Sequence, residues 1–282
     1  MTRAELSYCA DQVERFDNDR YLCAAYAAPA RREGLLSLFA FNLEIARIRE
    51  QVREPLLGQI RLQWWRETIE QIYLGATPSH PVAASLTHTV RSFDLTANHF
   101  ERYLEGRERD LEAAAPDDLA ALESYAEQTA ASLSALTLQV LGCGGDEATA
   151  TAMRHVAIAW ALIGLLRAVP FHARARRVYL PTALNRRAGL DVFALFEKGS
   201  VPGLSQVVEA VATVAWEHLK AARAQRSGIA RNALPALLVA TLADHYLAQL
   251  RRCNYDPFDR LVGERSRTIL LRVAFNASLG RF

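Results

Sequence analysis

Residues 164–181 read Gly164-Leu165-Leu166-Arg167-Ala168-Val169-Pro170-Phe171-His172-Ala173-Arg174-Ala175-Arg176-Arg177-Val178-Tyr179-Leu180-Pro181. The stretch lies inside a longer basic one: from Ala148 to Leu190 there are seven Arg (154, 167, 174, 176, 177, 186 and 187) and no Asp or Glu. Upstream of Arg167, the uncharged window Val156–Leu166 reads as a buried helix, shorter than the about 20 apolar residues that a membrane span needs. Val178-Tyr179-Leu180 is too short and isolated a β-branched run to build a sheet.

A second segment has the same character: Leu38-Phe39-Ala40-Phe41-Asn42-Leu43-Glu44-Ile45-Ala46-Arg47-Ile48-Arg49-Glu50. Leu38, Phe41, Ile45, Ile48 and Val52 recur at steps of three and four, the spacing of one helical face. Leu62, Trp65, Ile69 and Ile72 repeat the pattern, which puts Trp65 in the core and leaves Trp64 unassigned. Further helices are expected near 98–111, 119–141, 147–168, 203–226, 233–252 and 264–277. Asp117 or Asp118 and Asp146 are candidate N-caps, and Asp256-Pro257-Phe258-Asp259 reads as a turn or helix start. The expected class is all-α, one domain over residues 1–282, since the turns are short and no 20–50-residue repeat is present.

Composition supports a helical protein with a sizeable core. The chain has 282 residues, 51% apolar, with 48 Ala and only 14 Gly and 10 Pro. Lys and Arg number 33 against 31 Asp and Glu, a net +2; removing the seven arginines of 148–190 leaves 26 against 31, or −5. Arg supplies all the basic residues except Lys198 and Lys220. Cys9, Cys23, Cys143 and Cys253 form no CxxC pair and read as buried or free thiols of a reducing compartment. Acids at Glu5, Asp11 and Glu14 argue against a signal or transit peptide. GxGxxG, P-loop, GxSxG and HExxH motifs are absent, and the seven His lack metal-ligand spacing. A nucleic-acid partner is not expected.

The two quoted segments give the chain a resemblance to the squalene/phytoene synthase superfamily, all-α enzymes that join two prenyl diphosphates head to head. In that family the first segment reads like YAFCRxxDDxxD and the second like NxLRDxxEDxxxGRxYLP. Arg20-Tyr21, Leu62 to Glu67, His80-Pro81-Val82, Asp110-Leu111 and Tyr125 to Gly142 follow the family's order. The resemblance implies a helical bundle of the isoprenoid synthase type around a central cavity. It also implies Asp residues at i and i+4 on facing helices, where they would hold the Mg²⁺ that grips the diphosphate.

This sequence departs from the family at those positions. Ala46-Arg47 stands for the first Asp pair, with Glu50 at the last acidic position; Ala168 and His172 stand for Asp residues of the second motif, and Phe171 for its Glu. No catalytic residue and no metal ligand is therefore expected, and Mg²⁺ only if the chain is a working prenyl transferase. Arg167, Arg177 and Tyr179 match the family's diphosphate side, which implies an anion site without metals. Arg174, Arg176, Arg186 and Arg187 read either as part of that basic field or as a solvated loop face.

A branch of the superfamily that lacks the Asp motifs, and includes a mitochondrial assembly factor for respiratory complex I, is similar at Ala40 to Glu44, Leu166 to His172 and Asp256 to Asp259. That resemblance implies a catalytically silent protein that assists assembly or stability of respiratory NADH dehydrogenase, with complex I subunits or assembly intermediates as partners. With no targeting signal and no window long enough to span, the expected location is the bacterial cytoplasm, with a peripheral contact at the inner face of the cytoplasmic membrane and no transmembrane segment. The alternatives are a prenyl transferase joining two prenyl diphosphates and a module that binds an isoprenoid or anionic lipid.

Overall fold

The computed structural model describes residues 7–52, 54–264 and 268–282, and among them every regular element is helical. The expected helices are present at Ala97–Glu108, Leu119–Ala126 running on to Ser132–Leu141, Glu147–Arg167, Leu204–Ala224 and Val239–Arg252. The last is Ile269–Ser278; the start expected near 264 falls partly outside the described residues.

Local chemistry sets the ends. Pro29, Pro55 and Pro81 each open a helix, where a missing N–H costs nothing and φ is already helical. Asp118 and Asp146 accept the free N–H groups of Ala121 and Thr149 at 2.9 and 2.6 Å, so each is the N-cap of its helix. Asp259 does the same for Leu261 at 2.9 Å. Gly142, at φ 74°, closes Ser132–Leu141 with bonds from Cys143 N–H to Leu138 O and from its own N–H to Gln139 O, both 3.0 Å. Only a residue tolerant of left-handed backbone ends a helix this way cheaply.

Between Ala126 and Ser132 the helix takes one π turn, Glu127–Ala131. Gly106 packs against it so closely that a Cβ there would lie 2.8 Å from Gln128 Cβ. Helical periodicity cannot register that extra residue, because the composition on either side is unchanged.

One contiguous core joins the helices. The Glu147–Arg167 helix packs along Leu204–Ala224 and touches Ser132–Leu141 and Val239–Arg252; Pro29–Ala46 packs on Pro81–Phe93 and Ser132–Leu141. Phe41 is fully buried, with ring centroids of Trp65, Phe100 and Tyr103 at 5.2, 5.5 and 5.4 Å. Trp65 is thus a core residue, as its stripe predicts, whereas Trp64 is 43% exposed beside His80. The four cysteines are free and buried.

By length and composition, Glu147–Arg167 and Arg231–Arg252 are long and apolar enough to cross a membrane. The uncharged window 156–166 is the inner part of the first of these helices, which continues towards its N-terminus through His155 and Arg154. In this fold, 56% and 78% of their apolar windows are buried against other helices.

Candidate functional site

Both motif segments break where the family's acids would begin. Pro29–Ala46 stops at Arg47, whose N–H reaches Leu43 O at 3.1 Å, and the chain restarts as Ile48–Gln51. Glu147–Arg167 stops at Ala168, whose N–H reaches Gly164 O at 3.0 Å, and Val169–Arg174 follows. Pro170 accounts for the second break, because it has no N–H to continue the ladder. The single helical face expected for Leu38 to Val52 is therefore two helices and an extended residue, although all five apolar residues are buried. Glu50 lies beyond the break and is exposed, and partial desolvation raises its carboxyl pKa against the pull of Arg47. Arg47 lies over the Phe16 ring, 4.0 Å from its centroid.

Between these breaks is a cleft of about 390 Å³, lined among others by Ala46, Arg49, Glu50, Phe171, His172 and Arg177. Its floor is a hydrogen-bonded cluster around Arg107 and Asp110. Arg107 donates from Nη1 to Asp110 Oδ2 at 3.1 Å and to Tyr125 OH at 3.0 Å, from Nε to Tyr103 OH at 3.2 Å, and from Nη2 to Asn42 Oδ1 at 3.3 Å. Tyr125 and Tyr179 both donate to Asp110 Oδ1, at 2.8 and 3.0 Å, and Tyr103 donates to Asn42 Oδ1 at 2.9 Å.

Desolvation opposes the charge on Arg107, but the oxygens of Tyr103, Tyr125 and Asp110 outweigh it and hold its pKa well above the usual value. Burial, reinforced by the Asp110 charge, raises the pKa values of Tyr125 and Tyr179, so both phenols stay protonated and donate.

Arg177 donates to the backbone carbonyls of Asp110 and Glu112, the latter at 2.7 Å. It reaches them through a left-handed turn at Arg176, φ 52°, in which Arg177 N–H bonds back to His172 O at 2.9 Å. The His172 ring leans on Tyr179 with centroids 4.6 Å apart, and its Nδ1 is buried with no hydrogen-bond partner. Burial, then the Arg177 charge, pushes its pKa down to about 4, so it is a neutral ring at pH 7.

The structure brings Arg177, Tyr179 and His172 together and sets Arg167 apart. Arg167 stacks on Tyr246 at 3.4 Å from the ring centroid and faces Asp19 at 3.9 Å, while Tyr246 OH donates to Asp19 at 2.7 Å. It is not among the residues lining the cleft. Arg174, Arg176, Arg186 and Arg187 are exposed, with Arg176 paired to Glu197 at 2.8 Å. The sequence reading gave Asn42, Tyr103, Arg107, Asp110 and Tyr125 no role. The available signal was the i, i+3 spacing of Arg107 and Asp110, which places opposite charges on neighbouring turns.

The residues present do not fit a Mg²⁺ cluster. Mg²⁺ requires oxygen ligands, and Ala46, Arg47, Ala168 and His172 offer hydrocarbon, a cation and a nitrogen. Asp110 is committed to Arg107, Tyr125 and Tyr179. Among the described residues no group of three or more His, Cys, Asp or Glu could hold a metal. Deeper in the bundle, the space lined by Arg20, Phe39, Leu133, Met153 and Trp160 is filled down to about 20 Å³, room for about one water.

The squalene/phytoene synthase family pattern matches residues 13–272. The chain belongs to this family. Complex I assembly factor 6 of Bos taurus, named for NADH dehydrogenase (ubiquinone), is 33% identical over 263 residues, which cover 93% of this chain and 78% of that relative. A presqualene diphosphate synthase of Rhodopseudomonas palustris is 28% identical over 162 residues, 57% of each chain. The crystal structure of a dehydrosqualene synthase in complex with ligand superposes with a TM-score of 0.84 at 19% identity, covering 96% of this chain and 94% of that one. At that identity the likeness speaks for the fold, which is the helical fold of the family's synthases. Within the family, this chain matches the bovine assembly factor over far more of its length than it does the presqualene diphosphate synthase.

Proposed function

We propose that this protein is a catalytically silent member of the squalene/phytoene synthase family that assists assembly or stability of respiratory NADH dehydrogenase, at the cytoplasmic membrane face of a bacterium. One observation carries the reading: the chain is 33% identical to a complex I assembly factor over 93% of its length. The chemistry of the cleft is consistent with it. A diphosphate leaving group needs its charge neutralised as it departs, yet the metal-ligand positions hold Ala46, Arg47 and Ala168. The deep space of about 20 Å³ falls far short of the roughly 300–1,000 Å³ of ordinary ligand pockets, whereas the cleft between the motif breaks, about 390 Å³, lies within that range.

The protein would then act through surfaces. The Pro55–Tyr73 helix exposes Leu56, Ile60 and Trp64 at steps of four, beside the ion pairs of Arg66 with Glu101 and Glu108, both 2.9 Å. An apolar patch bordered by paired charges has the anatomy of a protein–protein interface, an apolar core with a polar rim.

Deleting the gene in its host should lower assembled NADH dehydrogenase several-fold, measured by native electrophoresis and NADH oxidation. Unchanged complex levels would remove the assembly role. Incubation with farnesyl or geranylgeranyl diphosphate and Mg²⁺ should release no pyrophosphate above the protein-free rate. Mg²⁺-dependent release would favour the second reading, a prenyl transferase, whose support is the 28% identity to the presqualene diphosphate synthase and the Arg177 charge in the cleft.

A further inference from the structure

The Ile269–Ser278 helix is apolar on two sides. Ile269 and Val273 are buried on the core, while Leu271, Phe275 and Leu279 are 72%, 63% and 47% exposed. At 100° per residue the exposed three span about 80°, roughly opposite the buried pair, and Arg272 falls about 20° beyond Leu279. A helix apolar on both sides asks for a second apolar neighbour, and no other described helix covers its outer face.

Beside this face, sharing Leu279 with it, is a cleft of about 480 Å³ lined by Ile229, Leu234 and Phe282, with Arg226 and Arg231 at the same opening. The two segments that line it carry charge of one sign, and the neighbouring carboxylate, Asp244, is paired with Arg223. Residues 226–243 and 268–282 contain Arg226, Arg231, Arg272 and Arg281 and no Asp or Glu. Among the described residues none of these four arginines makes an ion pair.

We propose that this face, Leu271, Phe275 and Leu279 with Arg226, Arg231 and Arg272, seats the protein on the surface of an anionic bilayer. Apolar side chains enter the boundary between headgroups and acyl chains, and the arginines meet the phosphates above it. A second copy fits worse, because a two-fold contact would set the same unpaired arginines against one another. The ten residues described for this helix reach about 15 Å, half of the about 30 Å of a membrane span. The Leu56/Ile60/Trp64 face lacks this charge pattern, since it borders Glu67 and Glu108.

This inference rests on the membrane location proposed above and is independent of the assembly role. Its test is flotation of the full chain with vesicles of phosphatidylcholine alone or with about one third phosphatidylglycerol. Each arginine near an anionic surface should strengthen attachment about fivefold, so binding to the anionic vesicles should be at least tenfold tighter and should weaken as salt rises. Leu271→Glu with Phe275→Glu should cut it at least tenfold, and Arg226→Gln with Arg231→Gln should remove most of the preference for anionic lipid. Leu56→Glu with Ile60→Glu should leave binding unchanged.

All variants alter exposed or half-exposed side chains, and circular dichroism melts matching the parent would confirm their folding. Equal binding to both vesicle types, binding unaffected by Leu271→Glu/Phe275→Glu, or a dimer that this pair dissolves would each overturn the proposal. So would wild-type protein that fractionates with host membranes yet ignores protein-free vesicles, a result that leaves the location standing and removes this surface.

Discussion

Asp110→Ala is expected to destabilise the protein by about 3–5 kcal/mol, the cost of leaving a buried cation without its partner. Asp110 accepts from Arg107 at 3.1 Å, Tyr125 at 2.8 Å and Tyr179 at 3.0 Å, so its loss leaves one guanidinium and two phenols short of an acceptor. At this chain length the melting temperature should fall by about 10 °C. The cause can be separated from simple loss of packing. A double replacement, Arg107→Met with Asp110→Leu, removes the orphaned charge and should be less destabilising than Asp110→Ala, because an ion pair replaced as a unit by apolar groups costs little. In the cycle completed by Arg107→Met and Asp110→Leu as single variants, additive losses read from urea titrations would show that Arg107 and Asp110 do not act as a pair.

The cluster explains why this cleft keeps its shape without metals. In the family's enzymes, by resemblance, carboxylates on facing helices are neutralised by bound cations. Here Arg107 is the cation, covalently part of the Ala97–Glu108 helix, and it ties Asn42 on one motif helix to Asp110 and Tyr125. Arg177 adds a second tie from the other motif segment to the Asp110 and Glu112 carbonyls. The net result is a cleft cross-linked by protein charges; two buried polar atoms of its lining, Arg49 Nε and His172 Nδ1, have no hydrogen-bond partner, and the second belongs to a neutral ring.

What could be read from the sequence follows from what each signal measures. Periodicity reports which face of a helix is buried, so the core placements of Phe41, Trp65 and Ile72 were legible. Caps at Asp118 and Asp146 were legible because their chemistry is local. The break at Arg47 was not, since the apolar pattern continues through it, whereas the end at Ala168 agrees with the helix expected near 147–168. Arg167 and Arg177 look alike in a string, ten residues apart and both beside apolar residues. Their partners, Asp19 for one and the carbonyls of Asp110 and Glu112 for the other, come from distant parts of the chain. Tertiary pairing decides between an ion-pair arginine and a cleft arginine, and one-dimensional spacing carries no record of it.

His172 should make the native state acid-sensitive in a defined window. Its folded pKa is about 4, because the ring is desolvated and faces Arg177, whereas an unfolded histidine titrates near about 6.5. Between those values the unfolded chain binds more protons than the folded one, so stability rises with pH across the window and is fully present above it. The difference of roughly 2.5 pKa units corresponds to about 3 kcal/mol lost on going from pH 7 to pH 4. His99, His155 and His245 are also shifted down by burial and add to the slope, so the informative quantity is the parent minus His172→Phe. Phe retains the ring contact with Tyr179, leaves no hydrogen bond broken at Nδ1, and does not titrate. Urea unfolding at several pH values should give a shallower slope for the variant between about pH 4 and 6.5 and parallel curves above about 7. Parallel curves throughout would mean that the His172 ring is protonated as readily in the cleft as in the unfolded chain. The ring would then have to be open to water in the cleft, because burial is the larger cause of its shift and the Arg177 charge the smaller.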